Sequence, residues 1–146
     1  MKHAGCCHCG AIRIELETSR APQDHVLGAC QCSFCRKHNT RAFSDPSAAV
    51  VITAENPHAL QLYEFGLKTS KQVICNRCGV YVAMILIEGE RVFSVLNIDT
   101  LDDRALFKRE SRYPEAPLGG RHAAAKTRLN SNLTGETRVF GYTNVA

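Results

Sequence analysis

Seven of the eight cysteines in this 146-residue chain fall into three tight clusters. The first is Cys7-His8-Cys9, with Cys6 just before it and Gly10 just after. The second is Cys30-Gln31-Cys32-Ser33-Phe34-Cys35, and the third is Cys75-Asn76-Arg77-Cys78-Gly79. Thiolates at C-x-C and C-x-x-C spacing can wrap a single zinc ion, with four ligands in a structural site and three plus an open position in a catalytic one. Glycine directly after a pair (Gly10, Gly79) permits the positive-φ turn such knuckles need. Buried cysteine as a small hydrophobe is the alternative, but it suits isolated cysteines better than seven in three polar-flanked clusters.

Seven thiolates divide most simply as four plus three. Cys30, Cys32 and Cys35 can hold one ion and leave a position open. The pairs Cys7/Cys9 and Cys75/Cys78 can close a second site that ties the start of the chain to its centre, contributing on the order of 10 kcal/mol to folding. A rival division is a plain zinc ribbon of Cys32/Cys35 with Cys75/Cys78. It leaves Cys7, Cys9 and Cys30 without a role. Cys6 is a spare thiol in both.

The length suits one domain, residues 1–146. Hydrophobic residues make up 45% and charged residues 22%, the composition of a soluble globular chain. No apolar run reaches about 18 residues, so no membrane-spanning helix is expected. The opening Met1-Lys2-His3-Ala4-Gly5-Cys6 lacks the apolar stretch of a signal peptide. The expected compartment is the cytoplasm, where patterned cysteines bind metal or do chemistry more often than they form disulfides. The formal charge is +4. A four-thiolate zinc carries about −2 and a three-thiolate zinc about −1, which leaves a filled protein near +1. With no tryptophan and 7% aromatics, the chain lacks the basic and aromatic interleaving of a nucleic-acid groove.

The elements that must position these clusters are mostly strands. Ile12, Ile14 and Leu16 alternate with Arg13, Glu15 and Glu17, which is the period of a strand with one wet face. Strands are also expected at His25–Ala29, Ala48–Thr53, Leu60–Phe65 and Gln72–Cys75. Val80–Ile87 and Arg91–Ile98 read as a hairpin with its turn at Glu88–Glu90. Ser33–His38 suits one helical turn. Thr100 with Asp103 resembles a capping box, predicting a short helix over Leu101–Glu110. From Ser111 onward periodicity fades and a loop-rich tail is expected. Seven to eight short strands with one or two helical turns make a mainly β fold: a small sheet pinned by zinc.

Gly5-Cys6-Cys7-His8-Cys9-Gly10-Ala11-Ile12-Arg13, Cys30-Gln31-Cys32-Ser33-Phe34-Cys35-Arg36-Lys37 and Cys75-Asn76-Arg77-Cys78-Gly79 resemble, in that order, three motifs of the glutathione-dependent formaldehyde-activating enzyme family, which has centromere protein V as a relative. Leu62-Tyr63-Glu64-Phe65-Gly66 and Asn97-Ile98-Asp99-Thr100-Leu101-Asp102-Asp103 are similar to further family stretches. The resemblance covers about residues 3–108. It implies an Mss4-like fold, a structural zinc at Cys7, Cys9, Cys75 and Cys78, and a catalytic zinc at Cys30, Cys32 and Cys35. It implies a carbon–sulfur lyase acting on formaldehyde and glutathione, so the expected partners are a small thiol and an aldehyde, with no nucleic acid and no membrane. A homodimer is compatible with it. The chain departs from the family at His38-Asn39-Thr40-Arg41, where many members have a glycine, and at Val80.

A zinc held by three thiolates is a soft, weak Lewis acid, better suited to binding a thiol than to activating water. His38 is the nearest candidate for proton transfer, or else a surface histidine. His3 and His8 are further candidates for metal or proton roles. Arg36 and Lys37 either bind a substrate carboxylate or are plain solvated charges. The eight Lys/Arg and three Glu of Arg104–Arg138 either grip an anionic tripeptide or form a solvated face. The competing class is a non-catalytic, zinc-stabilised protein-binding module of the Mss4-like type, with the second site absent or closed by a fourth ligand such as His38. Methionine sulfoxide reductase chemistry is set aside, because no cysteine follows Cys78.

Overall fold

The computed structural model describes residues 1–88, 91–113 and 127–129. Its strands are β1 (Lys2–Cys6), β2 (Ile12–Glu17), β3 (Val26–Cys30), β4 (Ala42–Phe43), β5 (Ala49–Ala54), β6 (Leu60–Tyr63), β7 (Lys71–Cys75), β8 (Tyr81–Glu88), β9 (Arg91–Asn97), β10 (Arg109–Tyr113) and β11 (Thr127–Leu129). One α-helix, α1 (Ser33–His38), interrupts them, together with short 3-10 turns. The fold is mainly β.

β9 is the axis. On one side it pairs antiparallel with β8, which leads through β7 to β6. On its other side the sheet forks. Phe93 and Ser94 pair with β11, which continues through β5 and β2 to β1, while Leu96 and Asn97 pair with β4, which continues through β3 to β10. The alternation in β2 sends Ile12, Ile14 and Leu16 into the core and Arg13, Glu15 and Glu17 to water. Each such side chain contributes roughly 1.5–3 kcal/mol on burial. They meet Val50 and Ile52 from β5, Ile85 and Leu96 from the β8–β9 pair, and Phe43 and Phe107.

Several expectations are corrected. β1 and β4 were not foreseen. β4 has two residues, too few for any period. Thr100 does not cap a helix. Asn97 does that work: its side chain accepts from the Asp99 N–H at 3.2 Å, and the Thr100 hydroxyl donates back to the Asn97 carbonyl at 2.7 Å. This tightens residues 98–100 into a 3-10 turn, and Leu101–Glu110 forms another single turn at Arg104–Leu106 rather than a helix. The tail from Ser111 is not all loop. β10 runs parallel to β3, and β11 slots between β5 and β9. β10 reads Arg-Glu-Ser-Arg-Tyr, the charged composition that protects an edge strand from further pairing, so it shows no apolar alternation. The hairpin turn at 89–90 and the rest of the tail lie outside the described residues.

Two contacts fasten the 98–107 segment to the first strand. Gly5 bridges Leu101, and the Asp102 N–H donates to the Ala4 carbonyl at 2.9 Å. His3, buried against the Phe107 ring, makes a 2.6 Å contact from Nδ1 to the Asp103 carboxylate. A Cβ on Gly5 would stand 2.1 Å from the Thr100 carbonyl oxygen and 2.6 Å from the Leu101 Cα. Those are backbone atoms, so the segment itself would have to move. Gly5→Ala is therefore expected to lower the unfolding free energy in urea titration by about 3 kcal/mol, at the upper end of overpacking effects.

Candidate functional site

Two knuckles build the first cysteine set. Between β1 and β2 the Cys7 N–H donates to the Ile12 carbonyl at 2.9 Å, and the Ile12 N–H returns to the Cys7 sulfur at 3.3 Å. Gly10 closes this turn at φ +80°, with its N–H on the Cys7 carbonyl. Between β7 and β8 the same device recurs. Cys75 donates to the Val80 carbonyl, and Gly79, at φ +76°, donates to the Cys75 carbonyl at 2.8 Å. Both glycines sit in the left-handed region that other residues enter at a cost.

The knuckles face one another. The sulfurs of Cys7, Cys9, Cys75 and Cys78 all lie within 4.8 Å of one another, with Cys7–Cys9 and Cys9–Cys75 at 3.6 Å. A tetrahedral ion with metal–sulfur bonds of about 2.3 Å spaces its sulfurs by about 3.8 Å. The set therefore fits such an ion. Burial, reinforced by the neighbouring Cys75 and Cys9 thiols, pushes the Cys7 thiol up to about 12 against the pull of the Ile12 N–H. At Cys78 burial again pushes upward, but N–H groups of Val80 and Cys9 and the thiols of Cys75 and Cys9 outweigh it and bring the group to about 6. Four thiolates in so small a space need a cation among them.

The second set sits where β3 ends. Cys30 is the last residue of that strand, Cys32 is the N-cap of α1, and Cys35 lies in the first helical turn, donating its N–H to the Cys32 sulfur at 3.4 Å. Asn39 ends the helix in the left-handed conformation at φ 48°, so α1 is short enough to return the chain to β4. The three sulfurs also lie within 4.8 Å of one another. Cys35 is pushed well above the ordinary thiol range, first by its contact with the Cys30 thiol and then by burial. Among the described residues no histidine nitrogen or carboxylate oxygen joins either set. The sulfurs group as four plus three and not as the ribbon, and among the described residues no fourth ligand atom joins the three-sulfur set.

Cys30 and Cys35 line a cavity of about 750 Å³, together with Gln31, Arg36, His38 and Thr40 from the α1 region and Asp99, Arg104 and Glu110 from across it. Arg41, also on the wall, is committed. It donates from Nε and Nη2 to the Asp99 carboxylate and from Nη1 to the Phe107 carbonyl at 3.1 Å. That carboxylate raises the Arg41 pKa further. Arg36 and Arg104 are different: both line the cavity, and neither forms an ion pair with a carboxylate among the described residues. His38 lies 4.4 Å from the Phe34 ring and 5.4 Å from the Tyr81 ring, centroid to centroid. This partial removal from water lowers its pKa, although its outer edge stays exposed.

The remaining sequence candidates fall elsewhere. His3 is a buried fastener on Asp103, His8 is exposed between Cys7 and Cys9 outside the sulfur set, Cys6 is exposed, and Lys37 points to water. Sequence reading missed the Arg41–Asp99 pair, and it held Arg104 only as one member of a basic stretch that either grips an anionic tripeptide or forms a solvated face. A signal was there: Asp99 is the first acid after the apolar run of β9. Arg41→Lys keeps the charge but loses the fork that spans Asp99 and Phe107. It is expected to cost about 1–2 kcal/mol and to speed amide hydrogen exchange across residues 98–107, measured by mass spectrometry.

The described residues contain no helix long and apolar enough to cross a membrane. A crystal structure of a Rhodobacter sphaeroides protein is similar at 30% sequence identity and a TM-score of 0.54, the match covering 77% of this chain and all of that one. The family model described as glutathione-dependent formaldehyde-activating enzyme matches residues 2–115, slightly wider than the stretch over which the three motifs resemble that family. With that match over most of its length, this chain belongs to the glutathione-dependent formaldehyde-activating enzyme family.

Proposed function

We propose that the chain is a zinc-dependent carbon–sulfur lyase that joins and separates a thiol and an aldehyde, with glutathione and formaldehyde as the reference pair. The observation that carries this reading is that Cys30 and Cys35, from a three-sulfur set lacking a fourth ligand among the described residues, line one cavity with Arg36 and Arg104. Zinc at Cys30, Cys32 and Cys35 supplies, when bound, a soft cation that favours the thiolate form of an incoming thiol. A second zinc at Cys7, Cys9, Cys75 and Cys78 is structural.

The chain's own groups do the rest. Arg36 and Arg104 take the carboxylates of the tripeptide thiol, the ligand geometry guanidinium matches best. His38, whose partial burial lowers its pKa and so favours the neutral imidazole, takes up the thiol proton and returns it to the carbonyl oxygen. The sulfur lone pair forms the S–C bond, the C=O π pair moves to oxygen, and that oxygen is protonated. The reverse expels the aldehyde. Arg41, fixed on Asp99, keeps the Arg104 side of the wall in place. Catalysis here consists mostly of holding the partners in register.

The binding-module alternative asks for a closed or missing second site. The cavity and the absence of His38 from the sulfur set both count against it. The protein replete with zinc is expected to accelerate the exchange between formaldehyde plus glutathione and S-(hydroxymethyl)glutathione, followed by NMR exchange spectroscopy. Arg36→Ala should raise KM for glutathione about tenfold or more with little change in kcat, and Cys35→Ser should abolish the acceleration. No acceleration by zinc-replete wild type would overturn the reading.

A further inference from the structure

Three aromatic rings stand beside the three-sulfur set, and the chemistry above uses none of them. Phe34 lies between Cys32 and Cys35 on α1, so its ring is tied to the sulfur set within one helical turn. Phe65 packs on it with centroids 5.1 Å apart and Tyr63 with centroids 6.0 Å apart, the planes inclined by 23° in both cases. Tyr63 and Phe65 are themselves 5.7 Å apart at 25°. The three rings are thus nearly parallel. Tyr81 meets Phe34 edge-on at 5.0 Å and 85°.

These rings are not core. Tyr63 is 43% exposed and Phe65 38%. Gly66 and Lys68 both have positive φ, at 61° and 56°, and turn the chain back into β7. The Glu64–Lys71 ion pair at 3.3 Å spans the base of the loop that carries Phe65. Near-parallel rings held open to water favour a flat apolar partner by stacking as well as by area. The row is continuous with the cavity, because His38 lines the cavity and lies on the Phe34 ring. The cationic groups Arg36 and Arg104 belong to the cavity wall and not to this row. The site is therefore divided into an anion-binding part and an aromatic part.

We propose that Phe34, Tyr63 and Phe65 form a subsite for a flat, apolar substituent on the carbonyl half of the substrate. The adducts this chain handles then include an anionic thiol joined to an aryl-bearing aldehyde as well as to formaldehyde, whose single carbon leaves the rings untouched. This inference rests on the thiol–aldehyde reading above.

Two stable thioethers test it by calorimetry on the zinc-replete full chain: S-methylglutathione and S-benzylglutathione, which share the tripeptide and differ in the ring. The benzyl compound is expected to bind about tenfold tighter, the scale of one buried stacked ring. Tyr63→Ser and Phe65→Ser should each cut that advantage to about threefold or less, leave the methyl compound's affinity unchanged, and, for position 65, be rescued by Phe65→Tyr. Equal affinity for the two thioethers in wild type would overturn the inference without any variant, as would an advantage that survives both substitutions. A self-association seen in sedimentation and broken by Phe65→Ser, with thioether affinities unchanged, would overturn it by placing a second copy on the rings. Failure of glutathione and both thioethers to bind at all would instead overturn the thiol–aldehyde reading and the subsite with it.

Discussion

Seven sulfurs within two sets, each no wider than 4.8 Å, impose the constraint on which the rest of this structure depends. Thiolates that close repel one another, and protonated thiols that close gain little. A cation held among them would make either set favourable. The opposed pushes on Cys7 and Cys78, one up to about 12 and the other down to about 6, are what such crowding produces when one position is buried and another is offered N–H donors. The knuckle hydrogen bonds turn the sulfurs of each set toward one another, the arrangement a cation would hold.

The two sets differ in their surroundings. The four-sulfur set draws on two hairpin-like knuckles 66 residues apart and holds the β1–β2 turn against the β7–β8 turn. The three-sulfur set is local, spread over six residues, and leans on a cavity. The far wall of that cavity is carried by residues 98–107, which are held by Gly5, His3 and Arg41. The first strand thus serves both sets: it leads into Cys7, and it seats the segment that brings Asp99 and Arg104 to the open one.

What was legible in the sequence was whatever had a short period or a short spacing. The cysteine clusters, the alternation at Ile12–Leu16, the helical turn at Ser33–His38 and the long β8–β9 pair all carry their signal within about ten residues. What was not legible depends on distant partners. β10 shows only charge, because it is an edge and its order comes from β3. β11 takes its place from β5 and β9. Thr100 has the residues of a cap, yet Asn97 three positions earlier captures the turn. The open site divides the same way. Its sulfurs were readable, whereas Arg104 and the Arg41–Asp99 pair come from opposite sides of the cavity and meet only in the fold.

Zinc content per chain, determined by elemental analysis on wild type and on the double variant Cys32→Ser/Cys35→Ser, tests the central claim most directly. A closed structural set plus a separable open one requires about two zinc ions in wild type and about one in a variant that still unfolds cooperatively. One zinc in wild type, lost together with the fold in the variant, would place Cys32 and Cys35 in the structural set and contradict the account.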